Sequence, residues 1–159
     1  MKNAKHSEVD DFDVIEGRSY RSSVLYWVGI LDKAINAQFT AEMGAARSIV
    51  ARWRTLSILA ENDGLPITRL ASETFIERTA LSRLLDSMED EGLLKRVPRP
   101  DDRRNIEVHI TDEGRNTFEI MLPIRRAVFQ RAVAGMEQQE LRQLLKSIRR
   151  LVENLVEQD

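Results

Sequence analysis

From Arg78 onward, the apolar residues Leu81, Leu84, Leu85 and Met88 fall at i, i+3, i+4 and i+7, and soon after Met88 the pattern switches to short strands. The first spacing lays one face of a helix against a core, and the second belongs to a half-buried ribbon. A helix that must stop at Gly92 and a hairpin that must start at Leu93 leave few ways to arrange the surrounding chain. The strands read Leu93-Leu94-Lys95-Arg96-Val97 and Ile106-Glu107-Val108-His109-Ile110, joined by Pro98-Arg99-Pro100-Asp101-Asp102-Arg103-Arg104-Asn105. Prolines and the Asp pair stiffen that turn. Val108 and Ile110 take the inward positions, so His109 is expected to face solvent or phosphate.

The outer face of the helix is polar. Thr79, Ser82, Arg83 and Asp86 lie away from the apolar stripe, with Arg78 on its flank. The first turn of a helix has unpaired N–H groups and a partial positive charge, so Arg78, Thr79 and Arg83 stand where phosphates and base edges are best met. Glu89, Asp90 and Glu91 at the other end would repel DNA and direct the helix inward N-terminus first. In the turn, Lys95, Arg96, Arg99, Arg103 and Arg104 outnumber Asp101 and Asp102. An arginine on such a tip fits the narrow minor groove, and Asp102 can hold the guanidinium of Arg104 in one orientation. A solvated surface hairpin is the alternative reading of the turn.

The order helix, helix, Gly, strand, Asp-x-Arg turn, strand, Thr, long helix resembles the MarR family of winged helix-turn-helix regulators, over roughly residues 20 to 157. Arg52-Trp53-Arg54-Thr55-Leu56, Ile67-Thr68-Arg69-Leu70-Ala71 and Arg78 to Asp86 match successive helices. The wing is similar through Leu93-Leu94-Lys95-Arg96, Asp102-Arg103-Arg104 and Ile110-Thr111-Asp112-Glu113-Gly114. Two departures stand out. Phe75 occupies a turn where many relatives have a small residue, and Gly135-Met136-Glu137 begins the last helix without a Ser or Thr cap.

The resemblance implies a mainly α fold with a small β wing: a winged helix-turn-helix whose N- and C-terminal helices form a dimerisation region. The expected divisions are an acidic mobile leader at 1–19, a first helix of the dimerisation region within 20–46, a DNA-binding lobe at 47–110 and long C-terminal helices at 111–159. It also implies a ligand-responsive repressor that binds a pseudo-palindromic operator in double-stranded DNA as a homodimer. The expected DNA contacts are Arg78, Thr79, Ser82, Arg83, Arg99, Asp102, Arg103 and Arg104. Such regulators often take a small aromatic carboxylate or related anion between the lobes; Tyr26, Trp27, Arg47, Arg52 and Trp53 could supply walls and a charge partner, or serve as core and surface residues. A winged helix that only dimerises or binds protein is the other class left open.

The rest of the chain bounds these readings. With 159 residues and 42% hydrophobic content it can form one compact domain, and its net charge of −2 requires any DNA affinity to come from a local patch. Absence of cysteine removes disulfides, thiol switches and the family's oxidant-sensing chemistry. His6 and His109 are the only histidines, and no nucleophile motif or phosphate loop occurs, so neither an enzyme, a metal site nor a cofactor is expected. No apolar run approaches ~18 residues, and the leader carries Glu8, Asp10, Asp11, Asp13 and Glu16, which points to a cytoplasmic protein. Helical periods run from Val24 to Phe39 and from Val50 to Ala60. Thr111 caps a long helix in which Pro123 should cause a bend. Leu141, Leu144, Leu145, Ile148, Leu151, Val152, Leu155 and Val156 then form an apolar stripe that wants a partner.

Overall fold

The computed structural model describes residues 20–21, 23–44, 48–99 and 105–156. The leader, Arg47, Asp102, Arg103 and Arg104 lie outside the described residues. The elements run α1 (Val24–Glu42), α2 (Ser48–Glu61), β1 (Leu65–Pro66), α3 (Ile67–Thr74), α4 (Arg78–Asp90), β2 (Leu94–Pro98), β3 (Ile106–Ile110), α5 (Asp112–Ala132) and α6 (Gln138–Val156). The fold is mainly helical with one small antiparallel sheet, in which β3 is central.

Local chemistry explains most boundaries. Ser23 accepts the Leu25 N–H at 3.2 Å and starts α1. Pro66 stands at the N-cap of α3, where a missing N–H costs nothing. Thr111 Oγ1 accepts the Gly114 N–H at 3.0 Å, with Asp112 and Glu113 in the first turn of α5 as the helix dipole favours. The last helix starts later than its sequence suggests. Gly135 (φ +87°) lies in the preceding turn, and Glu140 reaches back to accept the Glu137 N–H at 2.7 Å, so the missing Ser or Thr is replaced by the reciprocal half of a capping box. Pro123 lies within α5, which continues through it as one helix.

The core joins every element except α6. Leu81, Leu85 and Met88 of α4 are fully buried with Leu56 and Leu59 of α2, Leu70 of α3, Val108 of β3 and Phe39 of α1. Each such side chain contributes roughly 2 kcal/mol by leaving water. Met121 and Val128 bring α5 onto the same cluster. In contrast, no residue of α6 is buried, and its Leu144, Leu145, Leu151, Val152, Leu155 and Val156 are exposed. Among the described residues no helix is long and apolar enough to cross a membrane.

β1 was absent from the sequence reading. Two residues are too few to show alternation, yet Leu65 pairs with Val108 and Pro66 with Glu107. The wing register sets Leu94 opposite Ile110, Arg96 opposite Val108 and Pro98 opposite Ile106.

Candidate nucleic-acid interface

The α4 helix presents Arg78, Thr79 and Arg83 as exposed side chains and Ser82 as a half-buried one, on the side opposite its buried leucines. Its orientation is held at the far end by ion pairs. Both guanidinium Nη atoms of Arg52 on α2 donate to the Glu91 carboxylate at 2.5 Å, and Nη2 also donates to Ser87 Oγ at 2.9 Å. Arg96 on β2 donates from its backbone N–H and its side chain to Glu89 at 2.8 and 2.6 Å, and pairs with Asp86 at 2.7 Å. These bonds from Arg52 and Arg96 hold the Glu91 and Glu89 carboxyls below the usual carboxylate range. The acidic end of the helix is therefore more than a repulsive patch. Glu89 and Glu91 fasten α4 to the wing and to α2, and Arg96 is spent on that fastening rather than on the charge of the tip.

Two sequence expectations change at this site. One first-turn N–H of α4 is already taken, because the side chain of Glu77 occupies the N-cap and accepts the Ala80 N–H at 3.0 Å. His109 also departs from its expected surroundings. Its Nδ1 lies 3.3 Å from Asp63 Oδ2 and its Nε2 3.6 Å from Glu107 Oε2, while Asp63 Oδ1 accepts the Ile110 N–H at 2.8 Å. The imidazole thus fills the junction between the end of α2 and the base of the wing. Gly64 (φ +73°) makes room for it, since a Cβ there would come within 2.8 Å of His109 Cε1. At the far end of the wing, the Arg99 N–H donates to the Asn105 carbonyl at 2.9 Å, and Arg99 Nε lies 3.5 Å from Glu107 Oε1.

The residues suggested for an effector fall in different surroundings. Tyr26 and Trp27 meet edge to face, with centroids 5.5 Å apart. Trp53 stacks on Phe118 at 5.3 Å and meets Phe39 edge-on at 5.8 Å, which makes it part of the core, while Arg52 is engaged by Glu91 and Ser87. Sequence reasoning missed Arg125. Its guanidinium lies 5.4 Å from the Phe39 ring centroid and donates to the neutral Asn36 Oδ1 at 3.0 Å, and burial holds it below the ordinary arginine value. A signal was present: Phe118, Met121, Arg125 and Val128 recur at threes and fours, which puts a cation in an apolar stripe.

Known proteins share this fold. The MarR family pattern matches residues 49–105. The chain is 29% identical over 106 residues to the HTH-type transcriptional repressor IacR of Pseudomonas putida; the match takes in 67% of this chain and 64% of that repressor's length. A MarR family transcriptional regulator from Silicibacter pomeroyi has a similar fold, with a TM-score of 0.76 and 28% identity, over 88% of this chain and 94% of the other. A MarR family regulator from Listeria monocytogenes, crystallised with a 26mer DNA, shares the fold at a TM-score of 0.74 and 20% identity, over 85% and 90% of the two chains.

Proposed function

Because this chain belongs to the MarR family of winged helix-turn-helix transcriptional regulators, we propose that it represses transcription by binding a pseudo-palindromic operator as a homodimer and leaves DNA when a small aromatic or anionic effector binds. The observation that carries the DNA half is α4, whose apolar face and C-terminal ion pairs hold it rigidly while Arg78, Thr79 and Arg83 stay exposed beside the wing. A helix presented in this way places its first turns in a major groove. Arg99, with Asp102, Arg103 and Arg104 beyond it, would reach the adjacent minor groove. The exposed leucine stripe of α6 supports the dimer, which sets two recognition helices ~34 Å apart, one turn of DNA.

Selection of bound duplexes from a random pool, repeated at two salt concentrations, tests the reading. One enriched pseudo-palindrome, with affinity falling steeply in salt, is the expected result. No enrichment would sink it and leave a winged-helix module that binds protein.

For the effector half, Arg125 is the favoured anion partner, since its guanidinium donates to the uncharged Asn36 amide and lies over the Phe39 ring. Aromatic carboxylates should raise the melting temperature of the wild type and leave an Arg125→Gln variant unmoved. Equal shifts in both proteins would remove Arg125 from the site.

A further inference from the structure

Four ionisable side chains form a row along the wing. Asp63 Oδ2, in the turn after α2, lies 3.3 Å from His109 Nδ1. The other ring nitrogen, Nε2, lies 3.6 Å from Glu107 Oε2, and Glu107 Oε1 lies 3.5 Å from Arg99 Nε. The row therefore leads from the base of the wing to Arg99, just past β2 and one of the side chains proposed above to reach the minor groove. Its base is fixed. Asp63 Oδ1 is committed to the Ile110 N–H at 2.8 Å, and the imidazole lies against Gly64, where a side chain would collide with it. The charged groups that face the imidazole are Asp63 from the turn, Glu107 on its own strand and Lys95 opposite it on β2.

A ring with a carboxylate at each nitrogen is sensitive to its proton count. A neutral imidazole donates from one nitrogen and an imidazolium from both. With one proton, the ring gives its N–H to the nearer Asp63 and turns a lone pair toward Glu107, whose charge then rests on Arg99. With two, Nε2 donates to Glu107 as well, which draws the carboxylate toward the base of the wing and loosens its hold on the guanidinium. Imidazole side chains make this change between about pH 5 and 8, and ordinary carboxylate, lysine and arginine side chains do so outside that range. We infer that His109 is a positioning residue of the DNA interface, which sets through Glu107 how freely Arg99 meets DNA and tightens binding as it takes up a proton. This rests on the DNA-binding function proposed above and adds a pH response to it.

The test measures affinity of the full chain for the duplex enriched from the random pool, between about pH 8 and about pH 6. Wild type should bind more tightly at the lower pH, by about two- to fivefold per half-site, the scale of one partly solvated ion pair. His109→Gln and Glu107→Gln should both lose this rise, but from opposite levels. The first stays at the weaker affinity, because Glu107 keeps its hold on Arg99; the second stays at the tighter one, because Arg99 is released at every pH. Lost packing would weaken both, so a purely structural role does not give this split. His6 is the only other histidine, and His6→Gln should retain the wild-type rise. Melting curves verify that each variant is folded. A rise that persists in Glu107→Gln, or equal weakening of both variants at all pH values, would overturn the inference alone. A wild type that selects no duplex would overturn the DNA-binding function, and this role with it.

Discussion

Phe75 adopts φ 55° and ψ 31°, the left-handed region, and its ring is 87% exposed. A bulky residue held there costs on the order of 1–3 kcal/mol, and exposure returns little of that through packing. Glycine takes the same conformation freely, although it loses about 0.5–1 kcal/mol through the entropy of its unfolded chain. Phe75→Gly should therefore stabilise by about 1 kcal/mol, raising the melting temperature by about 2–4 °C; a fall would show that the ring makes contacts that matter. Gly114 is the opposite case. A Cβ there would lie 2.0 Å from the Leu93 carbonyl oxygen and 2.8 Å from Ile110 Cγ1, so neither backbone nor core can give way. Gly114→Ala should cost about 1–3 kcal/mol or more, read as a lowered denaturation midpoint with an unchanged slope. Phe75 was visible in the sequence as a misfit in a turn, whereas the need for Gly114 arises only when α5 meets the turn after α4.

At the scale of elements, α4 and the wing act together because Arg96 holds both Glu89 and Asp86. The carboxyls of Glu89 and Glu91 sit below their ordinary value of 4.5. A depressed carboxylate contributes stability above its unfolded pKa, and that contribution disappears as pH falls through the lower folded value. The pairs are partly solvated, so each contributes only about 0.2–1 kcal/mol. Arg96→Met should lower the melting temperature modestly at pH 7, and the gap from wild type should close as pH drops below about 4.5. A gap independent of pH would mean that Arg96 acts through its aliphatic stem rather than its charge. Helix periods and the strand alternation of β3 were legible in the sequence, but these ion pairs were not: Arg52 and Glu91 are 39 residues apart.

For the whole molecule, α6 is the element that one chain does not explain. It has no buried residue, and Leu144, Leu145, Leu151 and Val152 line an exposed stripe, while exposed Leu25, Trp27 and Leu31 mark α1. In the proposed homodimer, a carboxylate set into the α6 seam between subunits would be buried without a partner. Leu151→Glu should therefore give monomers by light scattering, with operator affinity reduced at least a hundredfold because two half-sites are no longer bound together. A dimer unaffected by this change would move the interface elsewhere. By itself, the sequence determined the six-helix succession apart from its exact ends, the wing strands, the Thr111 cap and the polar face of α4, because each follows from the periodic exposure of neighbouring residues or from a hydrogen bond within one turn. Only the tertiary structure decided that β1 joins β3, that Glu89 and Glu91 clamp α4, that His109 turns to Asp63 and that Arg125 lies over Phe39. Those contacts join residues distant in the chain, and no local period encodes which of many equivalent charges or apolar groups will meet once the core has closed.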